Sequence, residues 1–278
     1  MATASRQRVF ITGAASGLGR ALALAFGRAG ARVAVADVNS DRAEETTHEI
    51  VSAGGEALSV HCDITADDQV AAAADAVQQA WGGIDVVINN AGVAAAGTVA
   101  DTAMDDWRWI IDINLLGAVR VCRAFLPMMQ AAGSGHIVNV ASVAGVVQSP
   151  GMASYNVTKA GMIALSETLR GEMAGHGIGV SVVCPSFFTT NLLESYRGPQ
   201  PGVQLADKLM ARSSLTADDI AAAVIRAIEK DEFFVFGHRE ASVAYHFKRL
   251  LPGLFYWSTE RAGRKLFGDV VDLGEGDR

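Results

Sequence analysis

Two residues in the stretch ASYNVTKAG, Tyr155 and Lys159, stand four apart in a segment that reads as the start of a helix. Residues at that spacing share one helical face, so an ammonium can sit beside a phenol. A free phenol titrates near 10, too high for a base at neutral pH, and a neighbouring cation favours its ionised form. The same spacing also describes a solvated surface pair, and alone it does not choose between the two. A second group of residues lies near the N-terminus, where TGAASGLG sets Gly13, Gly17 and Gly19 in the order GxxxGxG. Glycines there let the backbone turn tightly and approach a pyrophosphate, while the following helix offers unpaired amides and the positive end of its dipole. A plain strand-to-helix turn would use glycines too. Support comes from Asp37, which closes the run VAVAD about 20 residues later, where a carboxylate accepts from adenosine ribose hydroxyls and repels a 2′-phosphate. Val38 and Asn39 follow it and Ser16 occupies the loop, so NAD is expected over NADP.

These residues need a frame, and the hydrophobic pattern supplies one. Apolar, β-branched runs (RVFIT, ARVAVAD, EALSVHCD, IDVVINN, GHIVNVAS, GVSVVCP) alternate with longer helical patterns. Strands that are apolar throughout and separated by helices describe a parallel sheet covered on both faces. The expected fold is α/β, a doubly wound Rossmann-type seven-stranded parallel sheet with helices on both faces and a C-terminal helical extension. Residues 1–237 are read as a dinucleotide-binding catalytic domain and 238–278 as an amphipathic extension that is not an independent domain. In such folds ligands sit beyond the carboxyl ends of the strands, where each group of residues above falls.

Composition narrows the function. The chain has 278 residues, half of them hydrophobic, and a net charge of −7, which argues against a general nucleic-acid binder. No uninterrupted apolar run of about 18 residues occurs, and a cytoplasmic location is expected. Cys62, Cys122 and Cys184 are far apart and read as small buried thiols; the six histidines are scattered. No metal site is expected.

Taken together, TGAASGLG, NNAG (Asn89 to Gly92), DINLLG around Asn114, Ser142 in NVASVAG, and YNVTK resemble the short-chain dehydrogenase/reductase family in its simple single-domain form, over roughly residues 7 to 236. The resemblance implies that Tyr155 is the general acid/base and that Lys159 both tunes it and holds the nicotinamide ribose. It implies that Ser142 hydrogen-bonds the substrate oxygen, with Ser154 as the neighbouring alternative outside the family position. Asn114 would kink its helix and hold a water that links Lys159 to solvent. For the cofactor it implies contacts from Gly13, Ser16, Gly17, Leu18, Gly19, Asp37, Asp63, Ile64, Asn90, Ala91, Gly92, Pro185, Phe188 and Thr190, besides Tyr155 and Lys159. Asp63 would meet adenine, Asn90 the ribose and Thr190 the carboxamide.

The chain departs from the family in two places. Ser186 stands where a glycine usually follows Pro185, and Phe187 and Phe188 come next. Beyond them, residues 188 to 214 read as a segment covering the substrate, with Leu192, Leu193, Tyr196, Leu205, Leu209 and Met210; Val143, Val147 and Met152 complete an apolar lining. The second departure is the tail. Residues 233 to 267 hold nine of the 19 aromatics, and Val243, Phe247, Leu250 and Leu254 follow helical spacing around a break at Pro252. An amphipathic helix packed on the domain or a second subunit is expected there, with a peripheral membrane patch or lid as the alternative. The expected activity is NAD-dependent interconversion of a hydrophobic secondary alcohol and its ketone by a homodimer or homotetramer. The rivals are an NADPH-dependent 3-oxoacyl reductase and a non-catalytic NAD sensor.

Overall fold

The computed structural model describes the chain except for residues 1–5, 189, 201–203, 205–207, 209, 212, 214, 238 and 269–278. Seven parallel strands form one sheet: β1 (Arg8–Thr12), β2 (Arg32–Asp37), β3 (Glu56–His61), β4 (Val86–Asn89), β5 (Gly135–Val140), β6 (Ile178–Val183) and β7 (Phe234–Val235). Their order in the sheet is β3-β2-β1-β4-β5-β6-β7, so the winding reverses between β1 and β4. In-register pairing runs from Arg8 opposite Arg32 to Thr12 opposite Ala36, and from Val86 opposite His136 to Asn89 opposite Asn139.

Strand side chains alternate between two cores. Val9, Ile11, Val33, Val35, Val86 and Ile88 point to one face. There they meet α1 (Gly17–Arg28), α2 (Ser40–Ser52) and α8 (Ala217–Lys230) through Leu22, Phe26, Ile50, Ile220 and Val224. Phe10, Ala34, Ala36, Val87, Ile137 and Val180 point to the other. They are covered by α3 (Asp67–Trp81), α5 (Gly117–Ala132) and α7 (Ala153–Met173), through Val70, Val77, Phe125, Met129 and Leu169. Because both faces of the inner strands are covered, those strands are mostly apolar along their length, which explains the apolar runs in the sequence, while the edge strand β3 is largely half-exposed.

Two further elements serve the strand ends. Helix α4 (Met104–Ile111) leads through a π turn, Asp112–Leu116, into α5, and the one-turn α6 (Ala144–Val147) follows β5. The tail forms α9 (Arg239–Leu250) and α10 (Pro252–Phe267). The helical extension is therefore present, but only part of the expected face is in contact: Phe247 is half-buried against Phe255, Val243, Leu250 and Leu254 are exposed, Ala241 and Phe255 are buried, and Tyr245 packs on Phe234 and Phe236. The broken helix turns its smaller and aromatic residues inward, because β7 is a short edge whose phenylalanines need covering.

Candidate active site

Helix α7 starts beyond β5 and carries Tyr155 and Lys159 one turn apart on its buried face, at 6% and 5% exposure. Lys159 Nζ donates to the Val140 carbonyl at 3.0 Å, at the end of β5, and lies 5.7 Å from the centroid of the Tyr155 ring. Ser142, two residues past β5, accepts from the Ala144 amide at 3.1 Å, and its hydroxyl is near enough to the Tyr155 phenol to favour the phenol's ionised form. Asn114 sits in the π turn, where its Oδ1 accepts from Val93 N at 2.8 Å. Its Nδ2 donates to Val93 O at 2.9 Å and to the Thr158 hydroxyl at 3.3 Å. Asn114 and Lys159 meet at Gly92, where an added Cβ would stand 3.1 Å from Asn114 Oδ1 and 3.5 Å from Lys159 Nζ. All four catalytic candidates of the sequence are thus brought together; Ser154 is buried in α7.

Residues that the sequence reading did not single out hold this cluster. Gly145 lets α6 cross α7 backbone to backbone: a Cβ there would lie 2.5 Å from the Lys159 carbonyl. Beneath it, Asn89 donates to Asn139 at 2.8 Å and Asn139 to Ser166 at 2.9 Å, which ties β4, β5 and α7 together. Thr12 accepts from the amides of Asn90 and Ala91. The asparagine side chains in NNAG and NVAS were a usable signal; an isolated threonine at a strand end was not.

The glycine turn is built to receive an anion. Gly13 and Gly17 have φ of +63° and +50°, where a side chain would be strained. A Cβ on Gly19 would collide with the Gly13 carbonyl and come within 2.5 Å of Asn90 Nδ2. Ser16, the N-cap of α1, makes no side-chain cap bond and the first turn has no acidic residue, so the helix amides are left for a ligand. A cleft of about 650 Å³ opens there, between Ser16, Arg42, Asn191 and Thr216. The Asp37 carboxylate is fixed at the end of β2 by the amides of Ala15 at 3.0 Å and Asn39 at 2.9 Å. These residues fit a pyrophosphate-bearing dinucleotide.

Other cofactor candidates are arranged less simply. Asn90 donates to the Thr12 and Gly13 carbonyls, so it braces the turn. Asp63 caps its own turn through Thr65. The side chains of Leu18, Ile64 and Phe188 are buried in the cores, which leaves only their backbones to face a ligand. Thr190 caps the short helical turn Asn191–Leu193, and its Cβ would lie 3.5 Å from a Cβ on Gly17, across the cleft. Ser186 avoids positive φ, so replacing the glycine costs the loop nothing there, and the buried Pro185 accepts from Val143 N. Arg42 escaped the sequence reading. It pairs with Glu194 at 2.9 Å and feels the Asp37 charge.

Burial controls the electrostatics of the candidate pair. It pushes the Tyr155 phenol up to about 12, with the Ser142 hydroxyl pulling back, and pushes the Lys159 ammonium down to about 8. Lys159 Nζ is committed to the Val140 carbonyl, and the expected lowering of the phenol by Lys159 together with an oxidised nicotinamide belongs to the cofactor-bound state. The three cysteines are buried and their thiols are pushed up to about 11 or 12, so they stay protonated.

Beside Tyr155, an apolar cluster gathers Ala94, Ile110 and Ala144, with Met152, Leu192, Leu193, Tyr196 and Trp109 packed against it. Arg197 lies 4.0 Å over the Trp109 ring and pairs with Asp106. Leu205 and Leu209 lie outside the described residues, and Val147 packs instead on the separate cluster of Ala118, Ala141, Val146 and Met162.

Comparison with known proteins agrees with this geometry. A family model described as short chain dehydrogenase matches residues 7–200. The chain is 34% identical over 254 residues to the probable oxidoreductase EphD of Mycobacterium tuberculosis, covering 88% of this chain but 43% of that protein. The chain thus spans less than half the length of that relative. It is 34% identical to a 3-oxoacyl-[acyl-carrier-protein] reductase of Synechocystis sp., over 70% of this chain and 79% of the relative. A short chain dehydrogenase/reductase of Burkholderia phymatum, solved in complex with NAD, superimposes with a TM-score of 0.85 at 30% identity, covering 90% of this chain and 95% of the other.

Proposed function

From the premise that the chain belongs to the short chain dehydrogenase family, we propose that it is an NAD(H)-dependent oxidoreductase that interconverts a hydrophobic secondary alcohol and its ketone. The observation that carries this reading is the meeting of Lys159 and Asn114 at Gly92, with the Tyr155 ring 5.7 Å from Lys159 Nζ and Ser142 near its phenol, in a chain whose glycine turn leads to an uncapped helix N-terminus. When bound, NAD would supply the hydride acceptor and the positive charge of its oxidised ring. Tyr155 takes the hydroxyl proton during oxidation and returns it to the carbonyl oxygen during reduction. Ser142 donates to that oxygen, where negative charge develops. Lys159 holds positive charge one turn away, and Asn114 fixes the turn that backs it.

NAD rather than NADP is supported by the Asp37 carboxylate, and by Glu194 answering the charge of Arg42. The apolar cluster around Met152, Leu192 and Trp109 suits a bulky hydrophobic substrate better than a sugar or an acid. Residues 1–237 would form the catalytic unit, acting in the cytoplasm, with 238–278 appended to it. Two or four copies would associate through the helices that bear Asn114 and Tyr155, where Leu116 and Val157 are exposed.

The test is NADH formation from aliphatic, aryl and steroidal secondary alcohols, run with NAD and with NADP. Turnover with NAD on the bulky members is expected. Arg42 favours one second reading, an NADPH-dependent 3-oxoacyl reductase, because it is a cation within the field of Asp37. Activity with NADP alone would select that reading, and silence with both cofactors would point to a sensor.

A further inference from the structure

Helix α10 touches the domain along one narrow line. Phe255 is buried, and Thr259 and Gly263, one and two turns on, are half-buried against the turn that holds Pro150. The opposite side is left to water. Leu254 and Trp257 are 52% and 55% exposed, and Arg261, Arg264 and Lys265 continue the same face. Leu250 and Leu251, exposed at the break before Pro252, extend its apolar end. Residues 239–267 hold six Arg or Lys against two Glu in a chain of net charge −7. With residues 269–278 included, the segment still carries seven cations against six acids, so the remainder is the acidic part.

Exposed aromatic and aliphatic side chains interleaved with cations are the chemistry of a helix lying in a bilayer interface. A second copy suits this face poorly, because a two-fold contact would set its cations against themselves. We propose that the α9–α10 hairpin is a docking surface for an anionic lipid bilayer, with Leu254 and Trp257 entering the headgroup layer and Arg261, Arg264 and Lys265 meeting the lipid phosphates. The hairpin is fastened to the catalytic side: Lys248 Nζ donates to the Val146 carbonyl at 2.8 Å and to the Gln148 side chain. Docking therefore places the 148–152 turn, which contains Met152 and leads into Tyr155, directly behind the docked helix. The surface stands whichever cofactor or alcohol the enzyme uses.

The full chain is to be sedimented with vesicles of phosphatidylcholine alone and of phosphatidylcholine with an equal part of phosphatidylglycerol. Binding to the anionic vesicles only, weakened by added salt, is expected. The triple variant R261Q/R264Q/K265Q should lose roughly a hundredfold in partitioning, since each cation near an anionic leaflet strengthens binding about fivefold. L254S/W257S should also release the protein, and NADH binding by both variants checks that they are folded. Equal affinity for both vesicles, no binding, or a fall in assembly mass of these variants below that of the unaltered protein would overturn the proposal; the last outcome would make this face a subunit contact.

Discussion

Tyr155 and Lys159 are buried together, and burial opposes what catalysis asks of each. The phenol is held near 12 and the ammonium near 8, so the protein alone keeps Tyr155 protonated through the neutral range. A protonated phenol is ready to act as an acid, and raising the pH converts it toward the base. Alcohol oxidation should therefore quicken as pH rises above 7, while ketone reduction should not. Lys159→Met removes the neighbouring positive charge and should move the rising limb of oxidation to higher pH; pH profiles of kcat/KM in both directions check this. At this scale the sequence was informative where a residue's type carries its chemistry, as with Tyr155, Lys159, Ser142 and Asp37. It was silent on Arg42 and Glu194, which lie 152 residues apart, because nothing local marks an ion pair made across a cleft.

Elements decide whether those side chains meet. The π turn at Asp112–Leu116 closes with Gly117 N donating to Asp112 O, and Arg120 pins it through Asp112 at 2.7 Å and Asp67 at 2.9 Å. The wider turn directs Asn114 inward, and π turns are common at functional sites for that reason. A kink at Asn114 was expected from the family resemblance, but the hydrophobic period does not register one extra residue in a turn. Gly145 is the other positioning element. Gly145→Ala forces a methyl against the Lys159 carbonyl. It should destabilise the protein by about 1–3 kcal/mol and lower kcat more than it raises the NAD KM, since the phosphate cradle is untouched. Chemical denaturation and steady-state kinetics read the two effects. Helix existence in the tail was legible, but its packed face was not, because aliphatic spacing pointed to Val243, Leu250 and Leu254, whereas the aromatic edge at β7 recruited Tyr245.

The whole molecule is a sheet covered on both faces, and that is why its fold was so legible: the inner strands are mostly apolar, and their buried polar residues, such as Asn89 and Asn139, are hydrogen-bonded to one another. One buried polar residue lies far from the site. His136 is 7% exposed at the start of β5, bonded to Ser181 at 2.8 Å, and burial lowers its pKa to about 4. The folded state therefore resists a proton that the unfolded chain accepts below about 6.5, so this contribution is full above that pH and is lost as pH falls toward 4. The loss should be on the order of 2–3 kcal/mol between pH 7 and pH 4. His136→Gln, measured by urea unfolding across that range, should flatten the acid slope. The assembled account makes one demand above the others, that Tyr155 moves the proton. Tyr155→Phe keeps the ring and its packing while removing the hydroxyl, so NADH binding and alcohol oxidation measured on the same preparation isolate that demand. NADH affinity should stay within a few-fold of the unaltered protein while turnover falls by at least about 10²–10⁴-fold; turnover that survives with NADH bound would rule out Tyr155 as the proton carrier.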